Sequence, residues 1–92
     1  MKADEFLFLQ LNLRNQEASS IRLCVEPWCE FYEVLSGQLI EICVHVKKDS
    51  PHPHFSITKT DNEIIVFSPG TPTSFLKSYV MSAGELVLPL NE

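Results

Sequence analysis

The sequence predicts an all-β chain, a single-domain antiparallel sandwich or barrel of seven or eight short strands. Three observations carry that expectation. Apolar residues recur at every second position in several segments, which is the period of a strand with one buried face. Clusters of Gly, Pro, Asn, Asp and Ser punctuate the chain at short, regular intervals. No stretch sustains a convincing 3.6-residue helical period. With 92 residues, the chain has room for one hydrophobic core, so 1–92 is read as one β domain.

In Glu5 to Leu13, Leu7, Leu9, Leu11 and Leu13 share one face, opposite Gln10, Asn12 and the less fitting Phe6 and Phe8. A helix capped by Asp4 competes with this reading, because leucine is a good helix former, but the alternation favours a strand. The greasy run FLFLQLNL resembles a secretion signal only superficially. Acids precede it, Gln10 and Asn12 interrupt it, and no small-residue cleavage site follows, so a mature strand is expected. Asn15 to Ser20 reads as a polar loop.

Ile21, Leu23 and Val25 alternate with Arg22, Cys24 and Glu26 until Pro27, which lacks the N–H that ladder pairing needs. The aromatic stretch Trp28 to Val34 meets Gln38 to Val46 across Leu35-Ser36-Gly37, and the two are expected to form a hairpin. Lys47 to Pro53 is a polar loop. His54–Thr58 and Glu63–Phe67 form a second hairpin around Thr60-Asp61-Asn62, and Ser68 to Ser74 is a turn-rich loop. Phe75–Met81 and Leu86–Leu90 complete the set.

Twelve acids against seven bases give a net charge of −5, and no basic cluster exceeds Lys47-Lys48. Phosphate recognition needs a basic stripe, so no nucleic-acid partner is expected. No apolar run approaches the roughly 20 residues that span a bilayer, so no membrane partner is expected either. Three cysteines, an odd number, point to reduced thiols in a bacterial-type or other cytoplasm.

Several groups are candidate sites. His52-Pro53-His54, with His45 upstream, could project two imidazoles towards a divalent metal, although a proline-flanked loop also collects solvated histidines. Cys24, Cys29 and Cys43 lack Cys-x-x-Cys spacing. Cys24 and Cys43 share strand faces with Glu26, Glu41 and His45, which suits half-buried filler better than a nucleophile. Glu26, Glu30, Glu33 and Glu41 decorate neighbouring strands. Either Glu26, Glu30 and Glu41 point into a barrel mouth, where repulsion would raise a carboxyl pKa and the cluster could bind a cation or a basic partner, or the acids point outward and keep strand edges apart. Trp28 divides between a core plug and a partner contact at the rim. Ser68-Pro69-Gly70-Thr71 has no Lys and no following helix, so it is not a phosphate loop.

The segments LCVEPWCEFYEVLSGQLIEI and ITKTDNEIIVFSPG resemble a family of small uncharacterised bacterial proteins with a Leu-Glu-Pro-Trp-Gly-Glu-x-Tyr core. The matching residues are Glu26, Pro27, Trp28, Glu30, Tyr32, Glu33, Gly37 and Glu41, and the resemblance covers roughly 20–85. Cys29 stands where that family favours glycine, and no known function comes with the likeness. Glu30 to Gly37 and IIVFSPGTPTSF also resemble the cupin jelly roll more weakly. There Cys24, Glu26 and Thr73 occupy the family's histidine positions, which implies a cupin-like shell without the usual metal.

The resulting expectation is a small non-catalytic binding or protein-interaction module with no catalytic residues and no cofactor. Its binding surface would lie around Glu26, Trp28, Glu30 and Tyr32. A homodimer hiding Phe6, Phe8 and the first strand is expected, with an unidentified protein or small ligand as the other partner. The alternative is a cupin-like metal-binding protein or metal-dependent enzyme that uses His52 and His54.

Overall fold

A computed structural model describes residues 6–48, 54–69 and 75–91. Among the described residues every regular element is a strand: β1 (Phe6–Arg14), β2 (Ile21–Glu26), β3 (Glu30–Val34), β4 (Leu39–Lys47), β5 (Ser56–Lys59), β6 (Glu63–Phe67), β7 (Phe75–Ser82) and β8 (Glu85–Val87). These form two four-stranded sheets, β1-β4-β7-β8 and β3-β2-β6-β5, packed as a sandwich. All pairings are antiparallel except β2 with β6, which run parallel with Leu23 opposite Ile64 and Val25 opposite Val66.

The alternation fixes which face meets the core. Leu23, Val25, Val34, Ile42, Val44, Val46 and Val66 are all but fully buried. Leu7, Leu9, Leu11 and Leu13 of β1 pack against this cluster but stay only half-buried, because β1 lies at the edge of its sheet. Each of these side chains stabilises the fold by about 1.5–3 kcal/mol when fully buried, so a one-residue slip in any strand would be prohibitive.

The hairpins β5–β6 and β7–β8 are present with the expected partners. The hairpin expected across Leu35-Ser36-Gly37 is not. β3 pairs with β2, whereas β4 pairs with β1 and β7, so this turn crosses from one sheet to the other. The reason lies in what alternation encodes. Tyr32 and Val34 on β3 and Ile40 and Ile42 on β4 all face the core, and that condition is met equally by strands lying side by side and by strands facing each other across the sandwich. The tight hairpin is instead β2–β3, closed by Pro27, Trp28 and Cys29, with a cis Glu26–Pro27 bond.

Asn15 ties the two crossings together. The link from β1 to β2 and the link from β3 to β4 both pass one end of the sandwich. There Asn15 is 1% exposed rather than part of a solvated loop. Its backbone N–H donates to Gln38 O at 3.0 Å, and its carbonyl accepts from Gly37 N–H at 2.7 Å. Its side-chain Nδ2 donates to Ser19 O and Val34 O, both at 2.9 Å, and its Oδ1 accepts from Glu17 N–H at 2.9 Å. Every polar group of this buried residue is therefore satisfied, as burial demands. Gly37, at φ 77, supplies the left-handed conformation that the second crossing needs.

The sheet edges differ in how they are protected. β8 is three residues long and β5 four, and β5 carries Lys59. The open side of β3 is covered by the C-terminal segment: Leu90 N–H donates to Phe31 O at 2.7 Å, and Asn91 Oδ1 accepts from Phe31 N–H at 3.1 Å. β1 is nine residues long, and among the described residues nothing pairs with its outer side.

Candidate functional site

The four residues expected to share a binding surface are divided by strand parity. Ile21, Leu23 and Val25 point inward on β2, so Glu26 projects from the outer face of its sheet. Glu30 and Tyr32 belong to the opposite, inward set on β3. Tyr32 is 4% exposed within the core, and Glu30 lies at the rim between the sheets, lining a cleft of about 160 Å³ with Tyr32, Tyr79 and Leu88. Trp28 sits in the β2–β3 turn and is 38% exposed, so it is a rim residue rather than a core plug. Glu26 and Trp28 thus remain on the surface at the turn, Glu30 edges the cleft, and Tyr32 is structural. Glu41, on the outer face of the other sheet, takes a hydrogen bond from Gln10 Nε2 at 2.8 Å, so the acids do not converge at one mouth.

Of the histidines, His52 lies outside the described residues. His54 is exposed just ahead of β5, and His45 belongs to the outer face of the other sheet. The His45 ring stands 4.9 Å from that of Phe8 and 6.0 Å from that of Tyr79. Among the described residues neither His45 nor His54 joins a group of three metal-ligating side chains.

A different group does assemble. Cys24, Glu26 and Cys29 bring their donor atoms within 4.8 Å of one another. Cys24 and Glu26 are two residues apart on β2 and so share its outer face, and the turn returns the chain to place Cys29 beside them. The Cys24 thiol is 4% exposed and donates to Glu26 Oε1 at 3.3 Å. Burial, then this hydrogen bond and the neighbouring carboxylate charge, push its pKa up from 9.0 to about 12. Cys29 is exposed and holds φ 54, a left-handed conformation that costs a side-chain-bearing residue about 1–2 kcal/mol. The only sequence signal for this grouping is the spacing Cys-x-Glu-x-x-Cys, which becomes informative once β2 and the turn are placed. Cys43 is buried on the outer face of the other sheet, and burial likewise raises its pKa.

The turn is further held by the C-terminal segment, where Asn91 Nδ2 donates to Cys29 O at 2.9 Å. Near it, Phe67 stands opposite Glu26 in the parallel pairing and is 50% exposed. Arg22, on the same outer face, lies 4.3 Å from the Phe31 ring centroid and 3.8 Å from Glu63 Oε2. No helix among the described residues is long and apolar enough to cross a membrane.

Comparison with known proteins returns no matching family model, no matching curated protein and no matching solved structure.

Proposed function

We propose that the protein is a small non-catalytic interaction module that works by strand addition at β1, and that the added strand is β1 of a second copy. The observation that carries this reading is the contrast among the edges. Three are short or covered, while β1 runs for nine residues, contains no proline and leaves Leu7, Leu9, Leu11 and Leu13 half-buried. A long edge of this kind offers a row of backbone donors and acceptors to another strand, and pairing would complete the burial of its leucines. An antiparallel β1–β1 contact about a two-fold axis would join two four-stranded sheets into one continuous sheet. Three free cysteines suit a reducing bacterial-type cytoplasm, where we place the module.

Sedimentation equilibrium across a concentration series tests the proposal. The expected species has twice the 10.5 kDa chain mass. A Phe8→Lys/Gln10→Lys variant, altered only on the outer face of β1, should become monomeric while keeping its far-ultraviolet circular dichroism. A native chain that stays monomeric at high concentration would defeat the reading. Dispersal of the dimer by Trp28→Ala instead would move the working surface to the β2–β3 turn.

A further inference from the structure

We propose that Cys24, Glu26 and Cys29 form a three-donor site for a borderline-soft divalent cation, Zn²⁺ in the first instance, with the fourth position open to water. The inference is independent of the β1 edge. It rests on the grouping of two thiols and one carboxylate, from a strand face and the turn that follows it, within 4.8 Å. A tetrahedral Zn²⁺ with Zn–S near 2.3 Å and Zn–O near 2.1 Å sets its donors about 3.5–3.8 Å apart. Cys24 Sγ and Glu26 Oε1 are already at 3.3 Å, and Cys29, being exposed, is the ligand with room to turn inward.

The donor chemistry selects the ion. Ca²⁺ and Mg²⁺ take oxygen ligands, whereas two sulfurs with one carboxylate suit Zn²⁺ and its softer analogue Cd²⁺. The Cys24–Glu26 hydrogen bond marks where the ion would go, because a thiol proton held against a carboxylate occupies the position that a cation would take over. Ligating thiols bind as thiolates, so uptake of Zn²⁺ forms two Zn–S bonds and one Zn–O bond and releases the thiol protons to solvent, with no redox change. The left-handed backbone at Cys29 fits the same account. A glycine would adopt φ 54 without penalty, so Cys29 holds its thiol beside Cys24 and Glu26 at a local conformational cost. With three donors among the described residues the coordination is of the open kind, able to accept water or a further donor.

The test uses the full chain, kept reduced with a phosphine. Cd²⁺ titration should develop the ultraviolet thiolate-to-cadmium charge-transfer band and saturate at one equivalent, and Zn²⁺ in competition with a chromophoric chelator should show the same stoichiometry. Cys29→Ser changes an exposed residue and should fold normally while weakening Zn²⁺ at least about tenfold. Glu26→Gln should also weaken it, and Cys43→Ser should bind as the parent does. Absence of the charge-transfer band would overturn the proposal. So would Zn²⁺ affinity unchanged in Cys29→Ser, or affinity lost in His54→Ala and retained in Cys29→Ser, which would place the ion at the histidines.

Discussion

Asn15→Ala should be among the most damaging single substitutions of a polar residue in this chain. It removes three side-chain hydrogen bonds of 2.9 Å, to Ser19 O, Val34 O and from Glu17 N–H. The bond to Val34 O is buried, and an abandoned buried carbonyl costs about 1–3 kcal/mol, while each of the other two contributes about 0.5–1.5 kcal/mol. Together these come to about 2–6 kcal/mol, a large share of the 5–15 kcal/mol typical of a domain. With a urea m-value of about 2 kcal/mol/M, the middle of the range for a small protein, the midpoint should fall by roughly 1–3 M. Circular dichroism at increasing urea is the assay, with the exposed Gln16→Ala as a control expected within about 0.5 kcal/mol of the parent. Asn15→Asp should be at least as damaging at neutral pH, because a carboxylate would face two carbonyl oxygens and donate to neither. That variant should recover stability as pH falls and the carboxyl becomes protonated. An Asn15→Ala midpoint within about 0.3 M of the parent would refute the claim that this residue ties the two crossings together.

Other consequences are open to measurement. The Cys24 thiol titrates near 12 in the folded chain against 9.0 ordinarily, so between those values the native state holds a proton that the unfolded chain releases, and stability should fall as pH rises from about 9 towards 12. Urea midpoints across that range should show the decline, and in Cys24→Ala it should be shallower. At pH 8 in the metal-free protein, iodoacetamide should label exposed Cys29 well before buried Cys24 and Cys43, as read by peptide mass spectrometry. Cys29→Gly should leave thermal stability unchanged or raise it by up to about 1 kcal/mol, since it relieves φ 54. Leu90→Pro removes the N–H that covers Phe31 O and should uncover the edge of β3, giving faster aggregation by light scattering than the parent.

Much of the architecture was legible because alternation is a direct record of which face is buried. The segments containing Leu7–Leu13, Ile21–Val25, Ile40–Val46 and Ile64–Val66 announce both strand and orientation. Alternation is silent on partners, however, so Gly37 looked like the corner of a hairpin when it is the corner of a crossing between sheets. Asn15 carried no signal at all. A polar residue between two polar neighbours reads as a solvated loop, and only the meeting of Val34, Gly37 and Gln38 around it explains its burial. Of the expected surface, Tyr32 went inside because the turn Pro27–Cys29 sets the register of β3 and with it the parity of every residue that follows. The same turn brings Cys29 back to Cys24 and Glu26, a closeness that depends on backbone geometry rather than on any short motif.

The central claim, that β1 is an interaction edge, is tested most directly by hydrogen–deuterium exchange of the β1 amides at several protein concentrations. Amides on the side paired with β4 should be protected throughout, and those on the outer side should gain protection as concentration rises, in step with the half-buried leucines. Outer-side amides that exchange equally fast at every concentration would contradict the account.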